Sequence, residues 1–373
     1  MTPQMEIQLI AVIVAISCAL VGTFLVLTKK TMMSDSITHT ILLGIVLAFF
    51  ATHDLSSPFL IIGATLMGVA TVWLTEALSR TGLLSEDAAI GVVFSLIFSI
   101  AIILITKFAG AVHLDTDSVL LGELAFAPFT RMMVGGVDIG AKAIYTTGFL
   151  LLINLLFIVI FFKELKITTF DPMLASVLGF SPVILHYALM TLVSVTAVGS
   201  FQAVGSILVV AFMVGPAITA YLITDDLKKM LFLGAFFGAI NAVVGYRVAA
   251  LFDVSIAGCM AMMTGLTFLV VLIFGRERGL ITVFRRRQKQ KIEFAKSTLL
   301  FHLMHHEGRE NESVEAACET IYKHMSWDPV FTRKILSSLQ GEASIEIVND
   351  IIKLTPRGRA KSEEKYEELF GWH

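Results

Sequence analysis

The chain is poor in the residues that soluble enzymes and secreted scaffolds depend on. Three cysteines occur in 373 residues, Cys18, Cys259 and Cys318, far apart and without a CxxC pair; this excludes a disulfide framework and a zinc ribbon. Charge is scarce: only 16% of residues are Asp, Glu, Lys or Arg, and the formal net charge is −2, so the total points to no polyanionic partner. No G-x-x-x-x-G-K-[ST] stretch is present, which excludes ATP hydrolysis here by a Walker-type site. No nucleophile–base constellation stands out either, and the chain is expected not to be an enzyme. The first apolar run starts near Ile7 with no basic segment before it and no clear cleavage site; it is expected to be a retained span rather than a signal peptide.

Apolar sequence fills the space these absences leave. Hydrophobic residues make up 56% of the chain, above the range of soluble domains. Runs long enough to cross a bilayer cover Ile7–Leu27, Met33–Ala51, Phe59–Leu78, Ala88–Thr106, Ala143–Phe162, Pro182–Val198, Ala203–Ile223, Met230–Val248 and Ile256–Phe274. Residues 112–134 fit no class: His113, Asp115, Asp117 and Glu123 interrupt apolar sequence there, as in a solvated loop or a re-entrant segment. Lys29, Lys30, Arg80, Lys163, Lys166, Lys228, Lys229, Arg276 and Arg278 follow alternate runs and so fall on one side, the cytoplasm by the positive-inside rule. Lys107, Arg131, Lys142 and Arg247 oppose the bias. The expected orientation has the N-terminus outside and the C-terminal region inside. Gly215-Pro216 should break or kink the seventh run, since proline lacks a donor and clashes with the preceding turn, with a short helix after Pro216 up to Thr224.

Asp35 and His39 lie four residues apart at the start of the second run. On a helix they share a face, and carboxylate plus imidazole suits divalent manganese, zinc or iron. Ionisable groups within a span normally face a pathway or a partner. The competing reading makes Ser34 or Asp35 a helix N-cap and His39 a hydrogen-bonding partner of a neighbouring helix. Two ligands do not close a site; Ser34, Thr38, water or a second subunit would supply the rest. Glu86 and Asp87 open the fourth run, where a helix dipole favours them.

Four blocks carry a family resemblance: GTFLVLTKKTMMSDSITHTILLGIVLAF, LLSEDAAIGVVFSLIFSIAIIL (83–104), FDPMLASVLGFSP (170–182) and VGSILVVAFMVGPAITAYLITDDL (204–227). In order and spacing they resemble the permease subunits of bacterial metal-ion ABC transporters, the manganese, zinc and iron uptake class. The resemblance implies a metal-pathway role for Asp35 and His39. It implies an ATPase-coupling element in the fourth block, here Gly215, Pro216, Ala217, Ala220 and Thr224. It further implies cytoplasmic ABC ATPase subunits, an extracellular or periplasmic metal-binding protein and a second permease subunit as partners, in the bacterial cell membrane. The metal is substrate, manganese first with iron and zinc next, and no permanently bound cofactor is expected. The rival functions are an ion-coupled secondary metal transporter and a membrane-tethered, metal-responsive DNA-binding regulator.

The domains expected are a membrane permease (1–275), a basic juxtamembrane linker (276–291) and a small cytoplasmic domain (292–373). In that last domain helical periodicity ends at Gly308, a plausible helix stop. Further helices fit Val314–Met325 and Asp328–Leu339, a hairpin fits around Asn349-Asp350, and a last helix starts at Thr355-Pro356. This is a winged-helix order, and FHLMHHEG…IIKLTPRGRAKSEE resembles the N-terminal domain of iron- and manganese-dependent repressors. The third helix offers only Arg333 and Lys334 as cations, with Arg357 and Arg359 beside the wing, a weak footprint for nucleic acid. Regulation or subunit contact is the expectation there. His302, His305 and His306 are candidates for a regulatory metal site, against the alternative of a solvated helix end. The fold class expected overall is an all-α polytopic membrane protein of about nine transmembrane helices plus a small α+β winged-helix-like domain.

Overall fold

The computed structural model describes residues 2–54, 57–108, 124–134, 137–309 and 311–370. His113, Asp115, Asp117 and Glu123, singled out above, lie outside the described residues. The chain divides into two compact units, 1–280 and 281–373.

Among the described residues of the first unit, nine helices are long and apolar enough to cross a membrane. They are α1 (Pro3–Leu27), α2 (Thr31–Thr52), α3 (Phe59–Ser79), α4 (Glu86–Phe108), α5 (Lys142–Ile160), α8 (Pro182–Val204), α9 (Ser206–Ile223), α10 (Leu227–Phe252) and α11 (Ile256–Phe274). Two short helices, α6 (Phe162–Phe170) and α7 (Pro172–Val177), separate α5 from α8. The described part of 112–134 is a 3-10 turn (Leu124–Phe129) and strand β1 (Arg131–Val134), which pairs antiparallel with β2 (Val137–Ala141). Helix starts follow local chemistry. Asp171, Ser181, Asp226 and Ser255 each accept a backbone N–H of the helix they precede, and Pro172 and Pro182 take first-turn positions where no donor is lost.

Helix α1 is the hub, packing on α9, α10 and α5. Phe24, Ile10, Val14 and Leu25 on it are buried with Phe212 and Met213 of α9. Helices α2 and α3 approach most closely at two glycines: a Cβ on Gly44 would stand 2.3 Å from the Gly63 carbonyl oxygen, so backbone meets backbone and no side chain fits between. Buried polar groups cross-link the spans. Asn154 Nδ2 of α5 donates to Ser17 Oγ of α1 (2.8 Å) and Thr196 Oγ1 of α8 (2.9 Å), and Thr71 donates to Thr40 at 2.8 Å.

One expectation fails. Helix α9 runs without interruption through Pro216, and the chain breaks earlier, at Gly205, the only residue between α8 and α9. Gly205 has φ 82 and ψ 163, a region essentially closed to side-chain-bearing residues. Pro216 forfeits one helical hydrogen bond, but Phe212, Met213, Ala217 and Ala220 around it are fully buried, and packing holds the helix in register.

In the second unit, α12 (Leu280–His306) is continuous, so residues 280–291 are helical. One-turn helices α13 (Glu312–Glu315) and α14 (Ile321–His324) follow, then α15 (Pro329–Gly341), β3 (Ile345–Val348), β4 (Ile351–Leu354) and α16 (Pro356–Phe370). Leu299, Ile321, Ile335, Leu339 and Ile352 form its core. Asn349 and Asp350 both have positive φ (53 and 66), the requirement of a two-residue hairpin turn, and Gly308 ends α12 with φ 72. The continuous helix expected over Val314–Met325 is replaced by two single turns, because Ala317 bridges to Ile351 and Cys318 N–H donates to the Asp350 carbonyl. The strand content described here is that hairpin plus one bridge, too little by itself to establish a winged-helix α+β domain.

Candidate functional site

Asp35 is the fifth residue of α2, inside the helix, and the cap position belongs to Lys30, which makes no side-chain cap bond. The capping reading of Ser34 and Asp35 therefore fails: Ser34 Oγ donates to the Thr31 carbonyl at 2.8 Å, and the Asp35 side chain is turned to His39. Asp35 Oδ1 and His39 Nε2 are 3.6 Å apart, with the Asp35 side chain 52% and the His39 side chain 28% exposed. The His39 ring lies against Phe94 and Phe98 of α4, at 5.4 and 5.8 Å between centroids. Its Nδ1 is buried and has no hydrogen-bond partner among the described residues. At the helical rise His39 lies roughly 12 Å along α2, within the depth of a bilayer core. Ser34 and Thr38 are buried, and both hydroxyls donate to backbone carbonyls one turn earlier.

A second polar cluster, not anticipated, sits one turn toward the basic end of the bundle. Glu76 of α3 accepts from Lys30 Nζ at 2.5 Å and lies 2.6 Å from His186 Nε2 of α8, and its other oxygen accepts from the Tyr187 hydroxyl at 3.1 Å. Arg80 lies 3.8 Å away and Glu86 3.9 Å from Lys30. This knot ties the α1–α2 turn, the end of α3 and the start of α8 together. A lone carboxylate inside an otherwise apolar run is the sequence signal that marks Glu76. At the opposite end Glu6, 3% exposed, accepts both its bonds from Arg131 (2.8 and 2.9 Å), which also meets Asp138 at 3.0 Å. Arg131, one of the cations opposing the orientation bias, is thereby neutralised.

The sequence matches the ABC 3 transport family over residues 4–275. The chain belongs to that family. It is 39% identical over 354 residues to the zinc transport system membrane protein TroD of Treponema pallidum (strain Nichols), covering 95% of this chain and 96% of TroD. It is 44% identical over 271 residues to the manganese transport system membrane protein MntD of Bacillus subtilis (strain 168), covering 73% of this chain and 92% of MntD. A chain of the solved structure of PsaBC from Streptococcus pneumoniae in complex with Fab matches with a TM-score of 0.62 at 30% identity, over 74% of this chain and 94% of that one.

The ABC 3 family chain is thus a multi-pass membrane protein, and the remaining candidate residues take definite places in it. Pro216, Ala217 and Ala220 are buried in α9, and a Cβ on Gly215 would collide with Thr264 of α11. Thr224 alone reaches the helix end, where with Phe170, Asp225 and Arg278 it lines a cavity of about 610 Å³. Exposed apolar surface at this end includes α7, where Met173 is 83% and Val177 84% exposed, and Leu83 in the loop after α3. Ser85 supports the start of α4 by accepting the Ala88 N–H at 3.4 Å, with Glu86 and Asp87 in its first turn.

In the second unit of this ABC 3 chain, His302 and His306 converge with Glu315, whereas His305 does not join them: Arg309 Nη1 lies 3.1 Å from its Nε2. Arg333, Lys334 and Arg357 are exposed, but Arg359 is paired with Glu307, which withdraws one expected phosphate contact.

Proposed function

We propose that this chain is the membrane-spanning permease subunit of an ABC importer that carries a divalent transition metal, manganese, zinc or iron, inward. The observation that carries the reading is the Asp35–His39 pair: two metal-competent groups 3.6 Å apart on one helix face, with an orphaned buried imidazole nitrogen. Burial of such groups in a span is costly without compensation, and a passing dication compensates them. The manganese and zinc names of the relatives agree with this donor set.

Only two ligands come from one protomer. The half-exposed Asp35 leaves the pair open toward a second permease copy, whose equivalent residues would complete the coordination in a dimer. Binding must stay weak enough for release. ATPase subunits on the cytoplasmic face would drive alternating access, with α6 and α7 as the docking surface in place of the buried Gly215–Ala220 stretch. An external binding protein would deliver the ion at the end bearing Glu6 and Arg131. Lys29, Lys30, Arg80, Lys163, Lys166, Lys228 and Lys229 follow alternate spans, which supports a cytoplasmic reading of that end and of residues 281–373. The helix order of residues 281–373 is compatible with a winged-helix regulatory module.

The test is uptake of manganese, iron and zinc by cells carrying Asp35→Ala, His39→Ala or both, with membrane insertion measured in parallel. Each single variant is expected to lose at least the roughly 10–100-fold that even an outer-shell change costs a metal site. Undiminished uptake of all three metals by the double variant overturns the assignment, and transport by the chain alone in liposomes under a proton gradient favours a secondary transporter.

A further inference from the structure

The second unit holds a group of metal-competent side chains that transport does not use. His302 and His306 project from α12, one helical turn apart, with ring centroids separated by 4.7 Å. Glu315, from the one-turn helix α13, meets them: one donor atom from each of the three lies within 4.8 Å of the others. Glu315 Oε2 is also 3.1 Å from Nδ1 of His324 on α14, and the His302 and His324 rings are 6.3 Å apart. Three imidazoles and one carboxylate therefore come together from three helices.

Two features separate this group from a surface ion-pair cluster. First, Nδ1 of His306 is buried and without a hydrogen-bond partner among the described residues, a vacancy that costs free energy unless something binds there. Second, Nε2 of His302 lies 3.1 Å from the Glu315 carbonyl oxygen and 3.7 Å from Glu315 Oε2, so α12 and α13 are already held against each other at this ring. Access is open on the α12 side: a surface cavity of about 680 Å³ is lined by His302, His305, His306 and Glu307, with Glu315 and His324 outside its lining.

We propose that His302, His306 and Glu315, with His324 as fourth donor, form a divalent transition-metal site in the second unit, distinct from the Asp35–His39 pair. Nitrogen-rich donors with one carboxylate suit zinc, manganese or ferrous iron. Donors around a tetrahedral ion with bonds of about 2.1 Å stand about 3.4 Å apart, so the observed spread closes by small rotations of these half-buried side chains. Binding would join α12, α13 and α14. Single helical turns have no stability of their own, so a bridging ion would add to the Ala317–Ile351 bridge and the buried Ile321 in fixing residues 311–325, and occupancy would report cation concentration as order in this unit.

The experiment uses the full chain in detergent, carrying Asp35→Ala and His39→Ala so that the pathway pair contributes nothing, stripped with chelator and titrated with Co²⁺, Zn²⁺ and Mn²⁺. One Co²⁺ per chain is expected, with the visible absorption of a nitrogen–oxygen site, displaced by Zn²⁺. His306→Ala and Glu315→Gln should each weaken it at least about tenfold, His305→Ala should leave it unchanged, and Zn²⁺ should slow amide exchange over residues 311–325. Equal exchange protection of α15 in the metal-free variants verifies that they fold. Unaltered stoichiometry in the His306→Ala/Glu315→Gln double variant, or an equal loss with His305→Ala, overturns the site. Because the pathway pair is absent throughout, either result leaves the transport proposal standing or falling on its own test.

Discussion

At the scale of single residues, what a charged group does here is set by who faces it. Asp35 and Glu76 are both acids in apolar helices, yet Asp35 has one imidazole beside it and open space, whereas Glu76 is enclosed by Lys30, His186 and Tyr187. The first carries no Lys or Arg partner among the described residues, as the proposed metal pathway requires; the second already has its cations. The same distinction governs the second unit, where Lys296 is buried and bonded to Glu342 at 2.5 Å and Glu293 at 3.0 Å, and Lys361 bonds the other Glu342 oxygen at 2.6 Å. The hydrogen bond from Lys296, then that from Lys361, lowers the Glu342 pKa; burial opposes the charge of Lys296, but its two carboxylates outweigh that and raise its pKa. The signs follow. The Glu342 contribution is complete above the unfolded carboxylate value, about 4.3, and is lost as pH falls through the lower folded value. The Lys296 contribution is complete below about 10.4 and is lost as pH rises through the higher folded value. Exchange protection of residues 292–306 and 335–345 is therefore expected to be flat between these limits and to fall on acidification, and Lys296→Met should lower it by about 1–3 kcal/mol at neutral pH. An unchanged acid limb in Glu342→Gln would show that the pair is not responsible.

At the scale of elements, span positions were legible because a run of about 20 apolar residues is a local property. All nine expected runs became helices, with ends shifted by a few residues. The site pair was legible for the same reason, since four-residue spacing on a helix needs no knowledge of the rest of the chain. The Gly-Pro expectation failed because tertiary packing around Pro216 outweighs a local cost, while Gly205, which has the backbone geometry of a break, looked like any other glycine. The expected coupling stretch, Gly215 to Ala220, lies inside that continuous helix, and the proposed docking surface therefore lies elsewhere. Short helices α6 and α7, capped by Asp171 and started by Pro172, display Met173 and Val177 where no span covers them, as a surface awaiting a protein partner does. Met173→Asp with Val177→Asp is expected to abolish metal-dependent uptake and co-purification with the ATPase, while the variant inserts and melts like the parent. Retained ATPase binding would send the coupling role elsewhere.

At the scale of the whole molecule, the nine candidate spans among the described residues, if each crosses, would put the two ends of the membrane unit on opposite faces, with the basic loops on the cytoplasmic one in the proposed orientation. In a Cys318→Ser background, whose remaining cysteines are buried, Val254→Cys should react with a membrane-impermeant maleimide in intact cells and Glu346→Cys only after permeabilisation; the reverse pattern would invert the protein. The division at residue 280 matches the relatives. A match to MntD covers 73% of this chain and 92% of MntD, whereas TroD matches over 95%, so the second unit is shared with some relatives and dispensable to the membrane fold of others.

Sequence by itself determined the membrane class, the nine spans, the Asp35–His39 face and the Asn349-Asp350 turn, because each depends on residues within one or two turns of each other. Only the tertiary structure decided that Glu76 meets Lys30 and His186, that Arg131 is neutralised by Glu6, that α9 continues through Pro216, and that Glu315 rather than His305 joins His302 and His306. Those outcomes depend on contacts between segments far apart in the chain, where the free energy of packing and desolvation, not local preference, selects the partner.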